Sequence, residues 1–194
     1  MSTFIKEDVL ENGSHQVNIC NQNSRAIVDQ ERLKQGILLV LRNYKVKQAV
    51  VGLAIVTDDT IRKMNKRFLN HDYATDVLSF PLSDSEHETD VLEGEIAISF
   101  DTAQRRAGEY GWEPENELLL YAVHGTLHLI GLSDQTAQER TVMRRAEKNI
   151  LAQMDISVPE TLSSVTDETS NESFSNSDNA SHCHPDILDQ QSDL

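Results

Sequence analysis

This chain is short of cysteine, of basic residues and of long hydrophobic runs, and each shortage excludes something. Its 194 residues include two cysteines, Cys20 and Cys183. Two cannot build a disulfide framework, so a reducing compartment is the default. No apolar stretch approaches the ~20 residues that a membrane-spanning helix needs. The opening residues, Met1 to Asp8, are too polar for a secretory signal. A soluble cytoplasmic protein is the simplest expectation. Lys and Arg number 17 against 32 Asp and Glu, a net charge of −15. Taken whole, that charge argues against a polyanionic partner such as nucleic acid. Its distribution is uneven, however. Eight acids and no base follow Ser157, which leaves 24 acids against 17 bases, or −7, for residues 1–157. Half of the acidity belongs to the last stretch of chain.

That last stretch differs in kind from what precedes it. Residues 157–194 are rich in Ser, Asp, Glu, Asn and Thr and poor in large apolar side chains. Such a segment cannot bury enough surface to offset its ordering entropy, and it is expected to be a disordered tail. Its His182-Cys183-His184 run is superficially a metal tract, but three adjacent residues offer poor chelate geometry. Residues 1–15 are expected to be a disordered lead-in. Residues 16–156 are then the functional domain, long enough to bury a core.

Within that domain, Val17–Cys20, Ala49–Val56, Thr75–Phe80 and Asp90–Phe100 have the composition of strands. Asp29 is placed to cap a helix reaching Tyr44 with Leu33, Ile37, Leu38 and Leu41 on one face. Thr57-Asp58-Asp59-Thr60 can cap a helix through Phe68, and Asp101 can cap the next one. Helices are expected at about 101–109, 115–130 and 136–154. Strands precede most of the early helices and helices dominate later. The expected fold is therefore α/β of the α+β type: a single-domain sandwich with a mixed sheet of about four strands.

The chemistry concentrates in one helix and the loop after it. His124 and His128 are four residues apart, on one face of an apolar helix. Two imidazoles so placed can reach one metal ion. Gly131 permits a left-handed turn that brings Asp134 back toward them. The pattern His-x-x-x-His-x-x-Gly-x-x-Asp has the ligand spacing of the long zinc-peptidase motif, with Asp in the last place. Three protein ligands and an open position mark a catalytic zinc site rather than a structural one. Position 125 is Gly, where those peptidases carry a Glu general base. Ordinary metalloprotease chemistry therefore lacks its base.

These residues resemble the YbeY family of bacterial endoribonucleases. His124-Gly125-Thr126-Leu127-His128-Leu129-Ile130-Gly131 matches its signature. Thr75-Asp76-Val77-Leu78-Ser79-Phe80-Pro81, with Asn65 before it, and Gly94-Glu95-Ile96-Ala97-Ile98-Ser99 are similar to two further blocks in the family order. The resemblance implies a zinc-dependent, single-strand-specific endoribonuclease holding one Zn2+ per chain. It also implies a role in processing the 3′ end of small-subunit ribosomal RNA and in ribosome quality control. The implied partners are ribosomal RNA and the small ribosomal subunit or its proteins, with no membrane and no DNA. The implied metal ligands are His124, His128 and Asp134. Asp134 stands where the family usually has a third His, and a carboxylate oxygen is able to bind zinc.

The family's usual Arg falls at Leu69, with Arg67 two residues earlier as a candidate catalytic cation. Arg62, Lys63, Lys66 and Arg67, and a second set of Arg140, Arg144, Arg145 and Lys148, either follow a phosphate backbone or are solvated helix faces. Thr75 and Asp76 either bind substrate or cap the strand start. Tyr110 and Trp112 either stack on bases or pack. Two other functions stay open at this point: a metal-dependent hydrolase of another class, and a non-catalytic ribosome-assembly factor stabilised by metal.

Overall fold

The computed structural model describes residues 14–23, 27–82 and 91–159. The expected lead-in up to residue 13, and the tail with its His182-Cys183-His184 run, lie outside the described residues. Four strands and five helices follow in the order β1 (His15–Asn21), α1 (Gln30–Asn43), β2 (Gln48–Val56), α2 (Asp58–Leu69), β3 (Val77–Pro81), β4 (Val91–Ser99), α3 (Phe100–Tyr110), α4 (Pro114–Leu129) and α5 (Ala137–Ala152). The sheet order is β1-β2-β4-β3, with the first two pairings parallel and β3 antiparallel to β4. This is the expected mixed four-stranded α+β sandwich.

Alternation along the strands sorts the core into two layers. Val51, Leu53 and Ile55 of β2 and Ile96 and Ile98 of β4 turn to one face, where they meet Leu33, Ile37 and Leu41 of α1 and Leu118, Leu119 and Leu127 of α4. Val56, Leu78 and Ala97 turn to the other face and pack on Ile61 of α2. Helix α4 is apolar on nearly every side because α1, α3, α5 and the sheet surround it. A residue on α4 that is polar and faces a neighbour is thus conspicuous.

The helix starts are chemically specified. Asp29 Oδ1 accepts from Arg32 N–H, Thr57 Oγ1 from Thr60 N–H, and Thr136 forms a capping box with Glu139. Three expectations are corrected. Ser99, not Asp101, caps α3, because the Asp101 carboxylate instead accepts from Asp58 N–H at the start of α2. Leu38 is half-buried, and Gly36 and Val40 complete the buried face of α1. Residues 14 and 15, expected within the lead-in, belong to the folded part: β1 begins at His15, and Ala49 N–H donates to the Ser14 carbonyl at 3.2 Å. At the other end, Ile156 and Val158 still pack on the core.

Candidate metal centre

Gly125 sets how closely α4 approaches the sheet. A Cβ there would stand 2.8 Å from Ile96 Cγ2, 3.0 Å from Ser79 Oγ and 3.1 Å from Val77 Cγ2. Lacking one, the helix backbone lies against β3 and β4, and Ser79 Oγ donates to the Gly125 carbonyl at 3.1 Å. A Glu at this position would be driven into the sheet, which is why the peptidase-type base has no place here. The contact also brings the flanking His124 and His128 to the margin of β3.

Helix α4 ends in a Schellman turn. Gly131 has φ +97°, its N–H donates to the His128 carbonyl at 2.9 Å, and Leu132 N–H donates to the Leu127 carbonyl at 3.0 Å. The reversal returns Asp134 to the histidines. His124 Nε2, His128 Nε2 and Asp134 Oδ2 lie 2.9, 3.7 and 3.8 Å apart. These separations suit one cation at the ~2 Å bond lengths of imidazole nitrogen and carboxylate oxygen.

The surroundings of the rings support the same reading. His124 Nδ1 lies 2.6 Å from Glu147 Oε1, and His128 Nδ1 lies 2.8 Å from the Leu132 carbonyl oxygen. Both partners are acceptors, so both Nδ1 atoms carry hydrogen and both neutral rings turn an Nε2 lone pair toward the other. Two lone pairs at 2.9 Å beside a carboxylate repel, and a shared proton or a cation relieves them. Burial disfavours the His124 imidazolium. The hydrogen bond and charge of Glu147, with the charges of Asp76 and Asp134, outweigh burial and hold His124 above its ordinary pKa. Residues of this kind fit a divalent metal.

The three groups open onto a groove of about 500 Å3, lined also by Leu69 of α2 and by Thr75 to Pro81. Thr75 and Asp76 precede β3 rather than starting it. Thr75 Oγ1 donates to Asp76 Oδ1 at 2.9 Å, and that same oxygen accepts from Val77 N–H at 2.9 Å. Asn65, buried in α2, donates to the Tyr73 carbonyl at 3.0 Å and fixes the loop that leads there. The α2 residue lining the groove is Leu69; Arg67 is exposed, with its guanidinium 5.4 Å from the centre of the Phe68 ring.

The other α2 cations are engaged. Arg62 and Lys66 both pair with Asp72 at 2.7 Å, and Lys63 pairs with Asp59 at 2.5 Å. Arg140 donates to the carbonyls of Asp134 and Gln135 at 3.3 and 2.9 Å, bracing the loop that carries Asp134. Trp112 packs against the core, and the Tyr110 hydroxyl accepts from Arg106.

Two features escaped sequence reasoning. Glu147 is an acid on the apolar stripe of α5, between Met143 and Ile150, and that misplacement was its signal. Glu117, Tyr121, His124 and His128 recur at spacings of four, three and four, so they share one face of α4. Glu117 is 2% exposed, one helical turn from Tyr121.

Comparison with known proteins places the chain. The family model for endoribonuclease YbeY matches residues 18–155. A curated endoribonuclease YbeY of Rhodopirellula baltica is 44% identical over 133 residues, spanning 68% of this chain and 66% of that protein. One of Chloroherpeton thalassium is 37% identical over 134 residues, spanning 69% of this chain and 92% of that protein. The solution structure of TM1509 from Thermotoga maritima shares the fold, with a TM-score of 0.50 at 21% identity over 72% of this chain and 92% of that one. The extent of the family match, which spans the residues that build the metal centre, makes this chain a member of the endoribonuclease YbeY family.

Proposed function

We propose that this protein is a metal-dependent endoribonuclease that hydrolyses single-stranded RNA in the groove between β3 and the end of α4. Family membership supports hydrolytic nuclease activity. The observation that carries the metal dependence is the convergence of His124 Nε2, His128 Nε2 and Asp134 Oδ2 on one point of that groove. We take the ion to be Zn2+, one per chain. Bound there, it would act as a Lewis acid and lower the pKa of a water molecule toward ~7. Glu147 and the Leu132 carbonyl hold the two rings so that their Nε2 atoms face the ion.

Thr75 and Asp76 are proposed to orient the substrate at the groove's mouth, and Arg67 to meet a substrate phosphate from α2. The physiological substrate would be ribosomal RNA at the 3′ end of the small-subunit species, in the cytoplasm, with the small subunit or its proteins as partner and with no DNA substrate. Among the described residues, no helix is long and apolar enough to cross a membrane. The peptidase alternative is disfavoured by Gly125, whose site has no room for a base.

Cleavage of a labelled ribosomal RNA precursor, with metal content measured on the same sample, tests the reading. Chelation and His124→Ala should each abolish turnover, and Asp134→Ala should lower the bound zinc. Activity that survives in rigorously purified His124→Ala protein would refute the site. A metal-replete wild-type protein that cleaves no RNA would favour the non-catalytic assembly factor.

A further inference from the structure

One wall of the groove is a strand edge. Among the described residues β3 pairs with β4 alone. Val77 and Ser79 lie on one face of β3 and Leu78 and Phe80 on the other, yet all four line the groove. Only the edge of the strand touches both faces.

The register decides what that edge offers. Ser99 N–H donates to the Asp76 carbonyl at 2.8 Å, and Leu82 N–H donates to the Glu93 carbonyl at 2.9 Å. Residues 76, 78, 80 and 82 therefore direct their backbone groups to β4, and Val77, Ser79 and Pro81 turn theirs away from it. The Val77 N–H is already taken by Asp76 Oδ1 at 2.9 Å. Pro81 has no N–H to give. What remains is a single outward donor, Ser79 N–H, set among the carbonyl oxygens of Val77, Ser79 and Pro81.

This pattern discriminates among occupants. An extended polypeptide adding to the edge would want donors at all three outward positions, and two of them are missing. A phosphate would meet three carbonyl oxygens together with the Asp76 and Asp134 carboxylates, all of the wrong sign. A nucleobase fits, because the Watson–Crick edge of every base sets a donor beside an acceptor, and in an unpaired strand that edge is free.

We propose that the Ser79 main-chain N–H and C=O bind the Watson–Crick edge of one unpaired base of the substrate. The β3 edge then selects single-stranded RNA without selecting sequence. A base already paired in a duplex has no edge to offer. This rests on reading the groove as an RNA site.

The geometry supplies its own test. Because the Ser79 N–H points away from the ladder, Ser79→Pro removes that donor while leaving the pairing with β4 intact. Its effect is measured against Ser79→Ala, which shares the loss of the hydroxyl bond to Gly125. Full-length protein with saturating Zn2+ is assayed on a short oligouridine, and on versions carrying 3-methyluridine at one position at a time, which blocks the base edge but preserves stacking. Relative to Ser79→Ala, kcat/KM of Ser79→Pro should fall about threefold to tenfold, the range for losing one neutral hydrogen bond, with zinc affinity unchanged. In the wild type one methylated position should cost at least a similar factor. In Ser79→Pro, which keeps the carbonyl that accepts from N3–H, the same position should cost less than in the wild type because the paired contact is already half lost.

Equal kcat/KM in the two variants would overturn the proposal. If Ser79→Pro fails to fold, the methylation scan of the wild type decides, and a scan with no sensitive position overturns it. Wild-type protein that does not cleave unmodified oligouridine would bring down both this proposal and the reading beneath it. Cleavage that is indifferent to the β3 edge would bring down this one alone.

Discussion

A histidine can ligate a cation only through a nitrogen that carries no hydrogen, and for His124 the side chain that enforces this comes from a different helix. Glu147 accepts from Nδ1 at 2.6 Å with its own side chain 13% exposed, so the ring is held in one tautomer and one orientation. Glu147→Ala should weaken zinc binding about 10- to 100-fold in a competition titration with a chromophoric chelator. Glu147→Gln should lose less, since an amide oxygen still accepts from Nδ1–H. An unchanged affinity in the Ala variant would mean that packing alone orients the ring. A second acid on the same face of α4 behaves differently. Glu117 has one carboxyl oxygen with no partner, and burial pushes its pKa up to about 7, with Asp76 and Glu147 adding to the effect and Tyr121 and Arg106 opposing it. A carboxyl raised from 4.5 favours the fold in its protonated form. Its stabilisation is complete below about pH 4.5 and lost as pH rises through 7, a penalty on the order of 3 kcal/mol by about pH 8. Urea unfolding at about pH 5 and about pH 8 should show that loss in the wild type and little of it in Glu117→Gln. The same slope in both proteins would clear Glu117 of the effect.

Among the elements, α4 is the one whose placement the site cannot spare, and its placement rests on Gly125. Gly125→Ala asks the helix to move away from Ile96, Ser79 and Val77. Overpacking of this kind costs typically ~1–3 kcal/mol. The helix carries two of the three ligand groups, so thermal unfolding and zinc affinity should both decline. A variant that melts as the wild type does would show that β3, an edge strand, simply yields. The contact explains what was and was not legible in the sequence. Local chemistry was legible: Asp29 and Thr57 as caps, Gly131 as a turn, and the His pair on one helical face all follow from neighbours in the chain. Position 125 could be read as lacking a base, but the sheet that forbids one there is brought by tertiary packing. Asp101 looked like a cap and sits in the right turn, yet its carboxylate crosses to Asp58 of α2. Glu147 is 23 residues from His124, and no spacing rule joins them. The outward backbone groups of β3 depend on its register with β4, which is set across the chain.

At the scale of the whole molecule, a protein of net charge −15 has to approach a polyanion. The fold does little to concentrate positive charge at the groove. Three of the four α2 cations are paired with carboxylates, Arg140 is spent on loop carbonyls, and the charges of Asp76, Asp134 and Glu147 all act on His124. Attraction therefore has to come from a cation held at the proposed metal centre and from contacts made after encounter, with the long-range field repelling. The sign of the salt effect follows. A basic RNA-binding protein loses affinity steadily as salt rises. Here KM for a short RNA should instead fall as ionic strength goes from about 0.01 M to about 0.15 M, where the screening length shrinks from ~30 Å to ~8 Å. The stretch after Ser157 carries eight of the fifteen net negative charges. A protein ending at Pro159, which keeps Val158 on the core and removes the same eight acids, should accordingly show roughly half the salt effect and a lower KM at low salt, with the two proteins converging at high salt. If KM rises with salt throughout in both, the local basic clusters govern the encounter and the net charge does not.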